Sequence, residues 1–172
     1  VYIAMCDGED NKLFYLTVKG GKWAFVGSDE IATQIPVANG GQTERFGIEM
    51  NIDLNENTAC VTINNVYCGE INIPDKAISR LILGTNKKGT GAIGFEYVRL
   101  MKNYPVVDRF ILGDVDKYEG QAPANWDISG DFKLDRISSM RLYDMYSVKA
   151  ESKAGTSSSA TKKFDPVSGK LA

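Results

Sequence analysis

The chain has 172 residues, of which 43% are apolar and 24% charged, and its net charge is −2. That length and balance give a folded domain with a sizeable core and exclude a disordered chain. They also argue against a nucleic-acid partner, because no basic stripe appears, and no apolar run approaches the roughly 18 residues of a membrane span.

Residues 1–6 read as a strand, and Asp7-Gly8-Glu9-Asp10-Asn11 as the turn after it. Phe14, Leu16 and Val18 then alternate with Tyr15 and Thr17. Gly20-Gly21 closes a two-residue hairpin that pairs Val18 with Trp23 and Leu16 with Phe25, so both aromatics fall on the core side. Residues 27–45 are read as one long irregular connection, interrupted by Pro36 and Asn39-Gly40-Gly41.

The clearest stretch is 46–73. Phe46, Ile48, Met50, Ile52 and Leu54 alternate with Gly47, Glu49, Asn51 and Asp53, the period of a half-buried strand. Asn55-Glu56-Asn57 turns the chain; Ala59, Val61 and Ile63 continue the apolar face; Asn64-Asn65 turns it again; and Tyr67, Gly69, Ile71 and Ile73 return on that face. With a three-residue loop here, Ile63 faces Tyr67, Cys60 faces Glu70 and Cys68 faces Thr62. The two cysteines then sit diagonally, too far apart for a bridge, and are read as free thiols. Three cysteines in all, with Cys6, make no disulfide framework.

Ile78–Gly84 is a further strand, 85–92 a glycine-rich turn, and Ile93, Phe95, Tyr97 and Arg99 the next strand. The glycines of 84–94 lack the Gly-Lys-Ser/Thr ending and following helix of a phosphate cradle, so they are read as a hairpin loop. At about Asn103 the composition changes, giving a division into 1–103 and 104–172. Segments 131–140, 141–152 and 160–172 then read as three more strands. Many short strands without helical periodicity mark an all-β sandwich or barrel. The chain starts on Val1, and both ends read as strand, as in a piece of a longer protein.

Residues 46–65, FGIEMNIDLNENTACVTINN, with 73–85, IPDKAISRLILGT, and 91–100, GAIGFEYVRL, resemble the later half of concanavalin A-like, laminin G-like modules. Residues 110–130, FILGDVDKYEGQAPANWDISG, with DMYSVKAES and KKFDPVSGKL, resemble the opening half of the same kind of module. The resemblance implies an antiparallel two-sheet jelly-roll sandwich with its halves in permuted order, from an extracellular or cell-surface bacterial protein that engages polysaccharide. Three arrangements fit that order: a cut across tandem repeats, one permuted sandwich completed by 104–172, or completion by neighbouring copies through sheet edges into a filament or layer.

Candidate sites follow from the residue types. Glu49, Asn51 and Asp53 form a polar row, with Thr62, Glu70 and Asn72 on neighbouring strands, suited to hydrogen-bonding sugar hydroxyls or simply to facing water. Aromatic platforms for a pyranose ring are Trp126 and, more weakly, Tyr97, Tyr143 and Tyr146. Glycosidases of the resembled fold use a Glu-x-Asp-x-x-Glu strand. Glu49, Asp53 and Glu56 have the wrong spacing for it, and no histidine is present to serve as a base, so the chain is read as non-enzymatic. A hydrolase or lyase of the same fold is a third reading. Modules of this resemblance often hold one structural calcium. Asp108, Asp114 and Asp116 are its candidate ligands, alongside a second acidic cluster at Asp7, Glu9 and Asp10.

Overall fold

The computed structural model describes residues 1–37, 45–86, 91–95, 97–101, 106–111, 126–136, 146–152 and 155–167. Among them are fifteen strands and no helix, and none of the membrane-spanning kind. The strands are β1 (Tyr2–Cys6), β2 (Lys12–Lys19), β3 (Lys22–Val26), β4 (Glu30–Pro36), β5 (Ile48–Asp53), β6 (Thr58–Ile63), β7 (Val66–Asn72) and β8 (Ile78–Gly84). Beyond these come β9 (Gly91–Phe95), β10 (Tyr97–Met101), β11 (Val106–Ile111), β12 (Asp127–Ser129), β13 (Phe132–Arg136), β14 (Tyr146–Ser152) and β15 (Ser159–Val167). They fall into two compact units, Val1–Leu83 with Lys163–Ala172, and Gly84–Lys162. The all-β, antiparallel class expected from the alternating sequence is therefore observed.

The first unit is sandwich-like. One sheet runs β8-β1-β2-β3-β4, with β15 next to β8; the sheet facing it is the meander β5-β6-β7. The Gly20-Gly21 turn works as expected: both glycines have positive φ, and Val18 faces Trp23 and Leu16 faces Phe25. Phe14, Leu16, Trp23 and Phe25 are fully covered, Phe14 meets Phe25 edge to face, and Trp23 meets Phe46 edge to face at 5.4 Å. From the facing sheet Ala59, Val61, Ile63 and Ile71 complete this core.

Two expectations are corrected in this unit. Residues 27–45 are not one irregular connection, because β4 lies within them and pairs with β3 after the short Gly27-Ser28-Asp29 turn. Ile31, Thr33 and Ile35 do alternate, and Pro36 is tolerated because it is the last residue of an edge strand. At the second meander turn, Asn64 and Asn65 both have positive φ and form a two-residue turn, so Ile63 faces Val66 and not Tyr67. The register then shifts between Val61 and Thr62, leaving Cys68 as the unpaired extra residue of a β-bulge. Past the bulge Cys60 faces Glu70, as expected.

In the second unit β9 pairs with β14, which also pairs with β13, and β10 pairs with β11. The run 93–99, read as one strand, is thus divided between two sheets. β12 pairs with the beginning of β15, Ile128 opposite Ala160. The three strands expected in 131–172 are present as β13, β14 and β15.

Candidate face on the three-stranded sheet

The polar row lies on β5, whose alternation leaves Glu49, Asn51 and Asp53 exposed while Ile48, Met50 and Ile52 turn inward. Cross-strand partners share a face. The outward surface is therefore a grid of three rows: Glu49, Thr62 and Tyr67; Asn51, Cys60 and Glu70; Asp53, Thr58 and Asn72. The three expected row members are brought together, along with Thr62, Glu70 and Asn72.

Tyr67 is the residue that sequence reading misplaced. Expected on the apolar side with Gly69 and Ile71, it is 63% exposed and lies opposite outward-facing Thr62. The cause is the turn length: with a two-residue turn Tyr67 points outward, and one extra residue, Cys68, then returns Gly69, Ile71 and Ile73 to the core side. The signals that reveal this are Asn64-Asn65, which favours a two-residue turn, and Gly69, which supplies the bulge with a φ of 132°. A Cβ on Gly69 would stand 2.7 Å from Ile31 Cδ1, so the bulge also brings β7 close against β4.

Hydrogen bonds fix the frame of this face. Asn64 Oδ1 accepts from the Gly47 amide at 2.8 Å, and the Asn64 amide donates back to the Gly47 carbonyl at 2.7 Å. At the far end the Ser28 amide donates to the Asn72 carbonyl and Asn72 Nδ2 donates to Asp29 Oδ2. On the face itself Asn51 Nδ2 donates to Glu49 Oε1 at 3.0 Å. The Tyr67 phenol is held above its ordinary pKa, first by desolvation and then by neighbouring Glu70 and Cys60.

The remaining candidates lie elsewhere. Trp126 is half-buried at the head of β12, and Tyr97 opens β10 opposite Ile111, both in the second unit. Tyr146 begins β14, while Tyr143 lies outside the described residues. Trp23, read as core, is 2% exposed; its indole Nε1 has no hydrogen-bond partner among the described residues.

Asp108 is in the paired strand β11, opposite Leu100; Asp114 and Asp116 lie outside the described residues. Asp7 is committed to its own turn. It accepts from the amides of Glu9 and Asn11 and from Asn11 Nδ2 at 2.9–3.0 Å, with Lys76 Nζ at 3.7 Å, while Arg80 pairs with Asp10. Among the described residues no three His, Cys, Asp or Glu side chains gather to hold a metal ion. Calcium takes about six to eight oxygen ligands, and of the three candidate carboxylates only Asp108 lies among the described residues.

Glu49 and Asp53 are four residues apart on one strand, about 13 Å, which is wider than the carboxylate pairs of retaining or inverting glycosidases. Glu56 lies in the turn after them. All three cysteines are free. Comparison with protein-family models, with curated proteins and with solved structures returned no match.

Proposed function

We propose that the chain is a non-catalytic, concanavalin A-like jelly-roll module of an extracellular or surface protein, and that it binds polysaccharide on the outward face of β5-β6-β7. The observation that carries the reading is Tyr67: a large ring left exposed on a paired strand, on one face with Glu49, Asn51 and Glu70. Sugar recognition asks for that combination, because pyranose C–H patches pack on an aromatic face while amides and carboxylates take the hydroxyls. The permuted jelly roll is supported by β15, from the last part of the chain, lying next to β8 in the larger sheet.

The test is retention of the chain in native gels cast with a panel of soluble polysaccharides. At least one glycan is expected to retard it, and Tyr67→Ala to weaken that retardation about three- to tenfold. A panel without effect, or an alanine variant that binds like the parent, would refute the assignment.

A second reading, assembly of copies through sheet edges, is favoured by one observation. Among the described residues β5 is paired on one side only, and its inward row Ile48, Met50 and Ile52 is half-buried where that of β6 is fully covered.

A further inference from the structure

The face with Tyr67 belongs to the most one-signed stretch of the chain. Residues 46–75 contain five acidic residues, Glu49, Asp53, Glu56, Glu70 and Asp75, and no lysine or arginine; elsewhere 17 acidic residues stand against 20 basic ones. The net charge of −2 conceals this, and three of the five, Glu49, Asp53 and Glu70, stand on the outward face of the sheet. Lys76, the first basic residue after it, is turned toward Asp7. Among the described residues no lysine or arginine pairs with Glu49, Asp53 or Glu70.

Uncompensated carboxylates impose a sign on whatever docks: an anionic polymer meets repulsion across the whole grid, and a cationic one meets attraction. The ring strengthens the preference. An aromatic face attracts an ammonium through its quadrupole, and Glu70, three residues along β7, places a counter-charge on the same surface. Asn51, Thr62 and Asn72 add neutral donors and acceptors for hydroxyls.

We propose that this face takes a cationic polysaccharide, a polymer of hexosamine units with free protonated amines, in preference to neutral or acidic glycans. The inference rests on the glycan-binding reading and adds the charge of the ligand to it. Such a polymer is a stiff ribbon that alternates ammonium groups, hydroxyls and apolar ring faces. The grid is its counterpart, with strands about 4.8 Å apart and outward side chains about 7 Å apart along each strand. A lysine-rich peptide has the charge but no rigid ring to lay on Tyr67, and it loses more side-chain entropy on ordering.

The experiment titrates the full chain with a glucosamine hexamer, an N-acetylglucosamine hexamer and a galacturonic acid hexamer, at low and high salt, with poly-lysine as a fourth probe. The glucosamine hexamer is expected to bind about tenfold more tightly than the acetylated one, the uronic hexamer not at all, and raised salt to weaken the preferred complex. Glu70→Gln should weaken glucosamine binding about threefold while Tyr67→Phe retains it, and both substitutions are on the exposed face, away from the core. Equal affinity for the free and acetylated hexamers would overturn the charge preference and leave glycan binding intact. Binding of the uronic hexamer would overturn it as well. Binding of poly-lysine and none of the sugars would overturn this inference and the reading beneath it, assigning the face to a basic protein.

Discussion

Cys6 shows how one buried side chain reports on the fold. It has no exposed surface, is packed with Ala4 and Ile82, and burial pushes its thiol up to about 11. Cys60 and Cys68 are only half-covered. Ellman's reagent at pH 8 should therefore titrate two thiols quickly and the third only after unfolding; three fast thiols would contradict the packing of β1. The raised value also sets an alkaline limit. The neutral thiol favours the folded state fully below its ordinary value of 9.0, and that contribution disappears as pH rises through about 11. Thermal stability should fall across that window, less steeply in Cys6→Ala. The variant is needed because Tyr2, held high by burial, and Lys12, held low by burial, titrate on the same face, with Lys12 Nζ 3.6 Å above the Tyr2 ring. At this scale the sequence was legible wherever a residue's partner was fixed by a regular turn, as for Trp23 and Phe25. Tyr67 was misplaced because the turn before it holds two residues and not three, and alternation alone does not distinguish those lengths once a bulge at Cys68 restores Ile71 to the core.

Among the elements, the β6-β7 hairpin is where local backbone chemistry decides which side chains the outward face presents. The two-residue turn keeps Tyr67 in water, the bulge returns Ile71 to the core, and Gly69 makes the bulge possible with its positive φ. Gly69→Ala should cost about 2 kcal/mol, because the new side chain must occupy a backbone region that L-residues avoid and displace Ile31 as well. Gly27→Ala has a different cause and a similar size, about 1–3 kcal/mol. Its Cβ would stand 2.9 Å from the Asn72 carbonyl oxygen, which is held at that end of β7 and cannot rotate aside. Urea unfolding midpoints measure both, and a Gly27→Ala midpoint equal to that of the parent would show that the β3-β4 turn does not clasp β7. Element boundaries were readable where alternation met a turn signal, as in β2, β3, β6 and β8. They were lost in β4, where a terminal proline concealed the alternation, and between β9 and β10, where one continuous apolar pattern serves two sheets.

For the whole molecule, alternation specified an antiparallel all-β architecture, but alternation does not record which sheet a strand joins, and so the two compact units were not legible. Nor does it record how an open edge is guarded. Among the described residues β5 is an edge strand, with no proline, lysine or register shift to discourage pairing with another copy. What it has is charge. Two copies pairing antiparallel about Asn51 would set Glu49 of one opposite Asp53 of the other, and pairing about Met50 would bring the two Glu49 side chains together diagonally; both put like charges in contact. At low salt the chain should therefore run as a monomer of 18.9 kDa in size-exclusion chromatography with light scattering. Glu49→Gln with Asp53→Asn, or high salt acting on the parent, should increase association. An oligomeric parent at low salt would favour assembly over binding, because carboxylates that do not hold copies apart are too weak a field to select a cationic ligand.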